Sequence, residues 1–181
     1  MLTTGAQAKS MLLVIGQLVF RSKDKITFGT WNVETLWRDG RLEELCHELK
    51  HYRWNIIGLS EVRKKALGEI CSDKGHKLFY CGREDKHEHG VGFLVHKDTT
   101  KSVLGCNFIS SRLISIRIKA SPFNITLFQA YATTSEYSDE DIEIFYKDIQ
   151  GNIEKTNKKD IKIDLGDFNA KIGKRHSKRL V

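Results

Sequence analysis

Proline is nearly absent from this 181-residue chain: Pro122 is the single one, and no low-complexity tract or fixed-period repeat accompanies it. A repeat architecture is therefore not expected. Cysteine is sparse too. Cys46, Cys71, Cys81 and Cys106 are widely spaced, none forms a C-x-x-C pair, and no Cys/His set has zinc-ligand spacing, so no zinc is expected. They read as reduced, mostly buried thiols of an intracellular protein. A bilayer-spanning run of roughly 20 apolar residues is also missing. The apolar stretch 11–20 is too short, Gln17 interrupts it, and Val19-Phe20-Arg21-Ser22 is a poor cleavage site, so neither a membrane anchor nor secretion is expected. That stretch is an extra strand or an unrelated leader, and residues 1–24 are set apart from the domain that follows.

Charge, by contrast, is plentiful and unbalanced. Charged residues make up 29% and hydrophobic residues 40%, the mixture of a soluble globular domain. The length allows one substantial core and not two comfortable ones. A formal net charge of +7 favours polyanionic partners, because each Lys or Arg that meets a phosphate releases counterions. A generic basic surface gives the same count. Lys171, Lys174, Arg175, Lys178 and Arg179 crowd the end of the chain, and residues 174–181 read as a basic tail. Such a tail holds a nucleic-acid backbone, acts as a nuclear address or frays into solvent. DNA is the expected partner and the nucleus the expected place; protein partners are not legible.

Periodicity predicts a strand over 26–33. A helix opened by Asp39 and Gly40 follows, with Leu42, Leu45, Cys46 and Leu49 at i, i+3, i+4 and i+7. An apolar strand over 54–60 ends at Glu61, and a loop or short helix is expected next. Strands are predicted at 77–81, 91–96, 101–107, 112–118 and 124–131, with the charged connector 82–90 among them. Ser138 with Asp141 suggests a capping box, and Ile142, Phe145, Tyr146 and Ile149 form an apolar helical stripe. A last strand, 160–165, runs into Gly166-Asp167-Phe168-Asn169. This order predicts an α/β layered sandwich with helices outside one or two sheets.

Asn32, Glu61, Tyr131 and the pair Asp167 and Asn169 each stand where an apolar strand gives out. Ligands of α/β sheets collect at strand carboxyl ends, so groups placed there can converge. Polar residues follow most strands, since loops are polar, and singly each has that bland explanation. A chosen four-residue string such as Gly-Asp-Phe-Asn turns up by chance in a chain this long with odds on the order of one in a thousand. Thr30-Trp31-Asn32-Val33 and Leu59-Ser60-Glu61-Val62-Arg63 at the right distances make the set specific.

With these blocks and His89-Gly90-Val91-Gly92-Phe93, Arg112 to Arg117 and Gln129-Ala130-Tyr131, the chain resembles the endonuclease/exonuclease/phosphatase superfamily over residues 26 to 173. It is most similar there to the apurinic-like endonuclease domain of RTE-type LINE retrotransposons and to host relatives of the craniofacial development protein 2-like kind. The resemblance implies a DNase I-like, four-layered α/β sandwich of two mostly antiparallel sheets flanked by helices, as a domain over 25–173. It implies a Mg²⁺-dependent phosphodiester hydrolase of the DNA endonuclease type, with Mn²⁺ as an alternative ion. Glu61 would hold the metal, and Asn32 would support the metal and the attacking water. Asp167 would orient or deprotonate that water, and Asn169 and Tyr131 would donate hydrogen bonds to phosphate oxygens. Arg112 is a phosphate contact or a surface cation. His47, His51, His87, His89 and His96 read as structural or surface groups. The family pattern ends with an Asp-His pair that this sequence does not contain. The sandwich is therefore expected to be incomplete at its C-terminal side and the nuclease activity weak or lost. A non-catalytic, domesticated remnant that binds nucleic acid or a protein is the alternative. A phosphoinositide, sphingomyelin or poly(A) substrate is a further one, disfavoured by the basic charge.

Overall fold

The computed structural model describes the backbone of residues 14–21, 24–132 and 138–167 and the side chains of residues 25–132, 138 and 140–166. In chain order the elements are β1 (Val14–Arg21), β2 (Asp24–Asn32), α1 (Arg41–Glu48), β3 (Ile56–Ser60), β4 (Leu67–Cys71), β5 (Lys77–Cys81) and β6 (Val91–Val95). Then come β7 (Val103–Ser110), β8 (Leu113–Ile118), β9 (Ile125–Tyr131), α2 (Asp139–Lys155) and β10 (Ile161–Asp167). The strands form a six-stranded sheet ordered β1-β2-β3-β6-β5-β4 and a four-stranded sheet ordered β10-β9-β8-β7. Among the described strands only β2 with β3 and β10 with β9 run parallel; their other pairings are antiparallel. The expected sandwich of two mostly antiparallel sheets is what forms. The apolar stretch near the start supplies β1, antiparallel to β2.

The burial pattern of β3 explains the layering. All five of its residues are buried, which a strand shows only when both faces of its sheet are covered. On one face Ile56 joins Phe93, Val95, Ile114, Ile116, Ile118 and Leu127 between the two sheets. On the other, Ile57 and Leu59 meet Leu45, Cys46 and Leu49 from α1 and the residues just after it. The second sheet turns Leu113, Phe128 and Ala130 outward, where Ile149 of α2 covers them with Phe145 and Ile153 alongside. The order of layers is α1, six-stranded sheet, four-stranded sheet, α2. Among the described residues no helix is long and apolar enough to cross a membrane.

Three local expectations change. The loop or short helix expected after Glu61 contains β4, an edge strand whose side chains alternate exposed and half-buried; its pairing with β5 decides its conformation, not its own weak pattern. The strand expected from 101 begins at Val103 after a 3-10 turn and runs on to Ser110. The capping box of Ser138 and Asp141 is present, but the stripe is narrower than its spacing suggested. Ile142 and Tyr146 stand 41% exposed, because the sheet beneath α2 reaches only the Phe145–Ile149–Ile153 line. Cys46 and Cys81 are buried, Cys106 is half-buried and Cys71 is exposed, all as free thiols. Burial pushes the Cys106 thiol up to about 12.

At the end of the sandwich where β3 begins, Trp54, His76 and His96 pack together, with the two imidazoles 4.7 Å apart between centroids. Nδ1 of His76 accepts the backbone N–H of Lys97 at 3.1 Å, so this ring is neutral, with its proton on Nε2. Burial lowers its pKa from the ordinary 6.5, and His96, Lys97 and Lys74 lower it further against the opposing pull of Glu43. A group whose folded pKa is depressed contributes stability that is whole above its unfolded pKa and lost as pH falls through the folded value. Urea midpoints should therefore drop between pH 7.5 and pH 5, and the slope should flatten in His76→Asn. An unchanged slope in that variant would assign the acid sensitivity to other groups.

Candidate active site

Parallel pairing brings two strand ends level: Asn32, the last residue of β2, lies opposite Ser60, the last of β3. One residue further on, Glu61 turns the chain with a φ of 57°, and Arg63, Ala66 and His89 nearby also adopt left-handed φ values of 54°, 59° and 56°. Such conformations cost about 1–3 kcal/mol each for ordinary residues and persist only where surroundings impose them. Here the imposing contacts are backbone hydrogen bonds. The N–H of Val62 donates to Gly90 O at 3.0 Å, that of Arg63 to His89 O at 2.7 Å, and that of Leu36 to Val62 O at 2.9 Å. The turn after β3 is thus clamped between the loops that follow β2 and precede β6.

The clamp aims the Glu61 carboxylate at two neighbours from other strands. Its Oε1 accepts from Asn32 Nδ2 at 2.9 Å and from the Tyr131 hydroxyl, at the end of β9, at 3.2 Å. Its Oε2 accepts from the Arg63 guanidinium at 2.8 Å. The Asn32 amide cannot be turned around, because its Oδ1 already accepts the backbone N–H of Glu34 at 3.0 Å. Glu61 is shielded, at 18% side-chain exposure, whereas Arg63 is 44% exposed. The His89 ring stands 5.9 Å from the Tyr131 phenol ring, centroid to centroid. Burial lowers the His89 pKa and the neighbouring Arg112 charge lowers it further, against Glu88 and Glu61. The Arg112 guanidinium lies 5.7 Å from the Phe145 ring centroid.

Beneath this cluster a buried polar bridge ties the sheets together. Thr30 Oγ1 donates to Gln129 Oε1 at 3.2 Å, and Gln129 Nε2 donates to Ser60 Oγ at 2.9 Å. Gln129 is two residues before Tyr131, and Ser60 is one before Glu61. The bridge fixes the separation of the two strand ends on which the site stands.

The donor chemistry fits a hard divalent cation. A carboxylate offers about four acceptor positions, and three on Glu61 are taken, two of them by donors that orient it. Arg63 is the exposed donor of the three, and it can swing away from Oε2. Among the described residues no group of three or more His, Cys, Asp and Glu converges. A cation held at Glu61 would complete its shell with water and phosphate oxygens, as Mg²⁺ commonly does.

Residues 29–180 match the Endonuclease/Exonuclease/phosphatase family. This chain belongs to that family. Its members are generally phosphodiesterases and nucleases. Craniofacial development protein 2 of Bos taurus is 36% identical over 151 residues, which is 83% of this chain. The chain spans about a quarter of that relative's length, 25%. Among solved structures, D. rerio TDP2 humanized by 14 mutations gives a TM-score of 0.60 at 15% identity, over 81% of this chain and 67% of that one. D. rerio TDP2 complexed with single strand DNA product gives 0.58 at 16% identity, over 80% and 61%. At those identities the likeness is one of fold, and the endonuclease/exonuclease/phosphatase sandwich is the fold seen here.

Of the residues singled out in the sequence, the structure brings Asn32, Glu61 and Tyr131 into direct contact and sets Arg112 beside His89. The backbone of Asp167 ends β10 directly opposite Tyr131 in parallel register; its side chain, and all of Asn169, lie outside the described residues. Asn32 meets Glu61 through its nitrogen, as a carboxylate-orienting donor, while its oxygen is committed to Glu34. Sequence reasoning gave no role to Arg63 or Gln129. A cation two residues after the strand-end Glu was the available signal for the first. A long polar amide in the middle of an all-buried strand was the signal for the second.

Proposed function

We propose that this domain hydrolyses phosphodiester bonds in DNA with a divalent cation held at Glu61, Mg²⁺ by its hard oxygen donors and Mn²⁺ as the alternative. The observation that carries this reading is the shielded Glu61 carboxylate, fixed by Asn32 and Tyr131 where the ends of β2, β3 and β9 meet. DNA as substrate is supported by the net charge of +7 and by the fold neighbour solved with a single-stranded DNA product. A divalent cation bound there neutralises charge on the phosphate oxygens. Asn32 keeps the carboxylate aimed, and the Tyr131 hydroxyl, with one proton to give, turns it from Glu61 to a phosphate oxygen when substrate binds. Asp167, in register beside Tyr131, takes the proton of the attacking water. Asn169 donates to the phosphate, and Arg112 holds an adjacent one.

The test reads metal binding as well as turnover. Mn²⁺ titration followed by electron paramagnetic resonance should show one bound ion that Glu61→Ala loses. Asn32→Ala should weaken it about 10–100-fold, as removal of ligand-orienting partners does. Nicking of supercoiled plasmid should require Mg²⁺ and vanish in Glu61→Ala. Salt-sensitive DNA binding with no metal dependence, identical in wild type and Glu61→Ala, would replace the hydrolase with a non-catalytic binding domain.

A further inference from the structure

Of the three tryptophans, Trp31 and Trp54 are buried and Trp37 stands 45% exposed. Its position follows from the clamp around Glu61. The Leu36 N–H donates to Val62 O and the Leu36 side chain is buried at 2% exposure, so the next residue along the loop faces outward. The indole stacks on the exposed His87 ring, with centroids 5.0 Å apart and planes 33° from parallel. The Arg38 guanidinium carbon sits 5.3 Å from the indole centroid. Nδ1 of His87 lies 2.9 Å from the carbonyl oxygen of Arg63. A carbonyl only accepts, so this nitrogen carries the proton and donates. The stacked pair is thereby fastened to the residue whose guanidinium pairs with Glu61. Two aromatic rings and a cation form a ledge on the rim of the site.

We propose that this ledge binds an unpaired base of the nucleic acid whose phosphate reaches Glu61, so that the domain prefers substrates with a single-stranded or extruded nucleotide beside the scissile bond. The inference rests on the hydrolase reading above and names its substrate class. Every base has a π-face, and stacking on exposed aromatics with flanking cations is the sequence-tolerant mode of single-strand recognition. Arg38 is exposed and can swing from the indole to a backbone phosphate, which its N–H groups bind, or lie over the stacked base, on whose face its plane stacks. A base inside a duplex is already stacked on its neighbours and gains nothing from the ledge until it is unstacked. Strand separation thereby becomes part of specificity. Exposed rings beside a cation also suit an anionic lipid surface, but there the indole would need open apolar surroundings, and its neighbours are His87 and Arg38.

The test uses the whole chain, with tryptophan emission, read against Trp37→Phe to isolate the exposed indole, and fluorescence anisotropy of a labelled oligothymidylate and of a duplex of equal length. Single strand should quench the emission and bind more tightly than duplex. Trp37→Ala should weaken single-strand binding about tenfold, at the lower end of what one stacked base contributes, and leave duplex binding within about twofold. Trp37→Phe should recover most of the loss, which separates stacking from a merely structural contact. Equal binding of single strand and duplex, or no change in Trp37→Ala, overturns the ledge while the Mn²⁺ and plasmid results at Glu61 still stand. Quenching by phosphatidylserine vesicles and not by oligonucleotide would overturn it in favour of a membrane. Loss of metal binding and nicking in Glu61→Ala judges the hydrolase independently.

Discussion

Replacing Gly58 by alanine should destabilise the domain by about 3 kcal/mol or more, a large effect for one added methyl group. A Cβ at this position would stand 1.9 Å from Gln129 Oε1 and 2.8 Å from its Cδ. Gln129 has no exposure to yield into, and its amide is engaged at both ends by Thr30 and Ser60. Overpacking alone costs about 1–3 kcal/mol. Swinging the amide aside would also strand two buried hydroxyls, at about 1–3 kcal/mol for each group left unsatisfied. The measurement is the urea midpoint of Gly58→Ala, Gln129→Ala and the double variant. Because the methyl and the amide compete for the same space, the double variant should be more stable than the two single losses added together, with a coupling of about 1–3 kcal/mol. Simple additivity would mean that the strands separate at no cost and that the bridge does not set their spacing.

That bridge shows where reading the chain by itself runs out. Asn32, Glu61 and Tyr131 were legible because each ends an apolar strand and because Thr-Trp-Asn-Val, Leu-Ser-Glu-Val-Arg and Gln-Ala-Tyr stand in the right order. The covered sheets were legible too, since β3, β6 and β9 are buried throughout and their runs are correspondingly apolar. Gln129 was not. It is a polar residue in a buried strand, and only its partners 69 and 99 residues away explain its presence. The left-handed turn at Glu61 and Arg63 was equally hidden. No glycine or asparagine marks it, and the conformation is imposed by the 89–90 segment across the loop. The ledge at Trp37 and His87 joins residues 50 positions apart whose individual patterns say only loop. The edge strand β4 escaped notice because its pattern is weak without β5 beside it. Local propensity locates strand ends; tertiary hydrogen bonds decide what those ends hold.

Far from the site, Asp160 should prove the most sensitive carboxylate in the described part of the chain. Its side chain is 2% exposed. One oxygen accepts from Arg117 Nε at 2.6 Å and Thr126 Oγ1 at 2.9 Å, and the other from a second Arg117 nitrogen at 2.9 Å. The Arg117 guanidinium holds the Asp160 carboxyl below the usual carboxylate range, with Thr126 assisting and burial opposing. Asp160→Ala should lower stability by about 2–3 kcal/mol at neutral pH. Most of that loss falls on the Thr126 hydroxyl left buried without its partner, since Arg117, 39% exposed, turns to solvent and is screened. A depressed carboxylate pKa contributes stability that is complete above the unfolded value of about 3.9 and is lost as pH falls through the folded value. Wild type and variant should therefore differ fully at pH 7 and draw together below about pH 4, in urea midpoints taken across that range. Arg117→Ala is the harsher change in kind, because it leaves a charge in the interior with one hydroxyl for company. Adding Asp160→Asn to Arg117→Ala should then restore stability, although the same substitution alone removes it. If Asp160→Asn proves destabilising in both backgrounds, the pair is held by packing and not by charge.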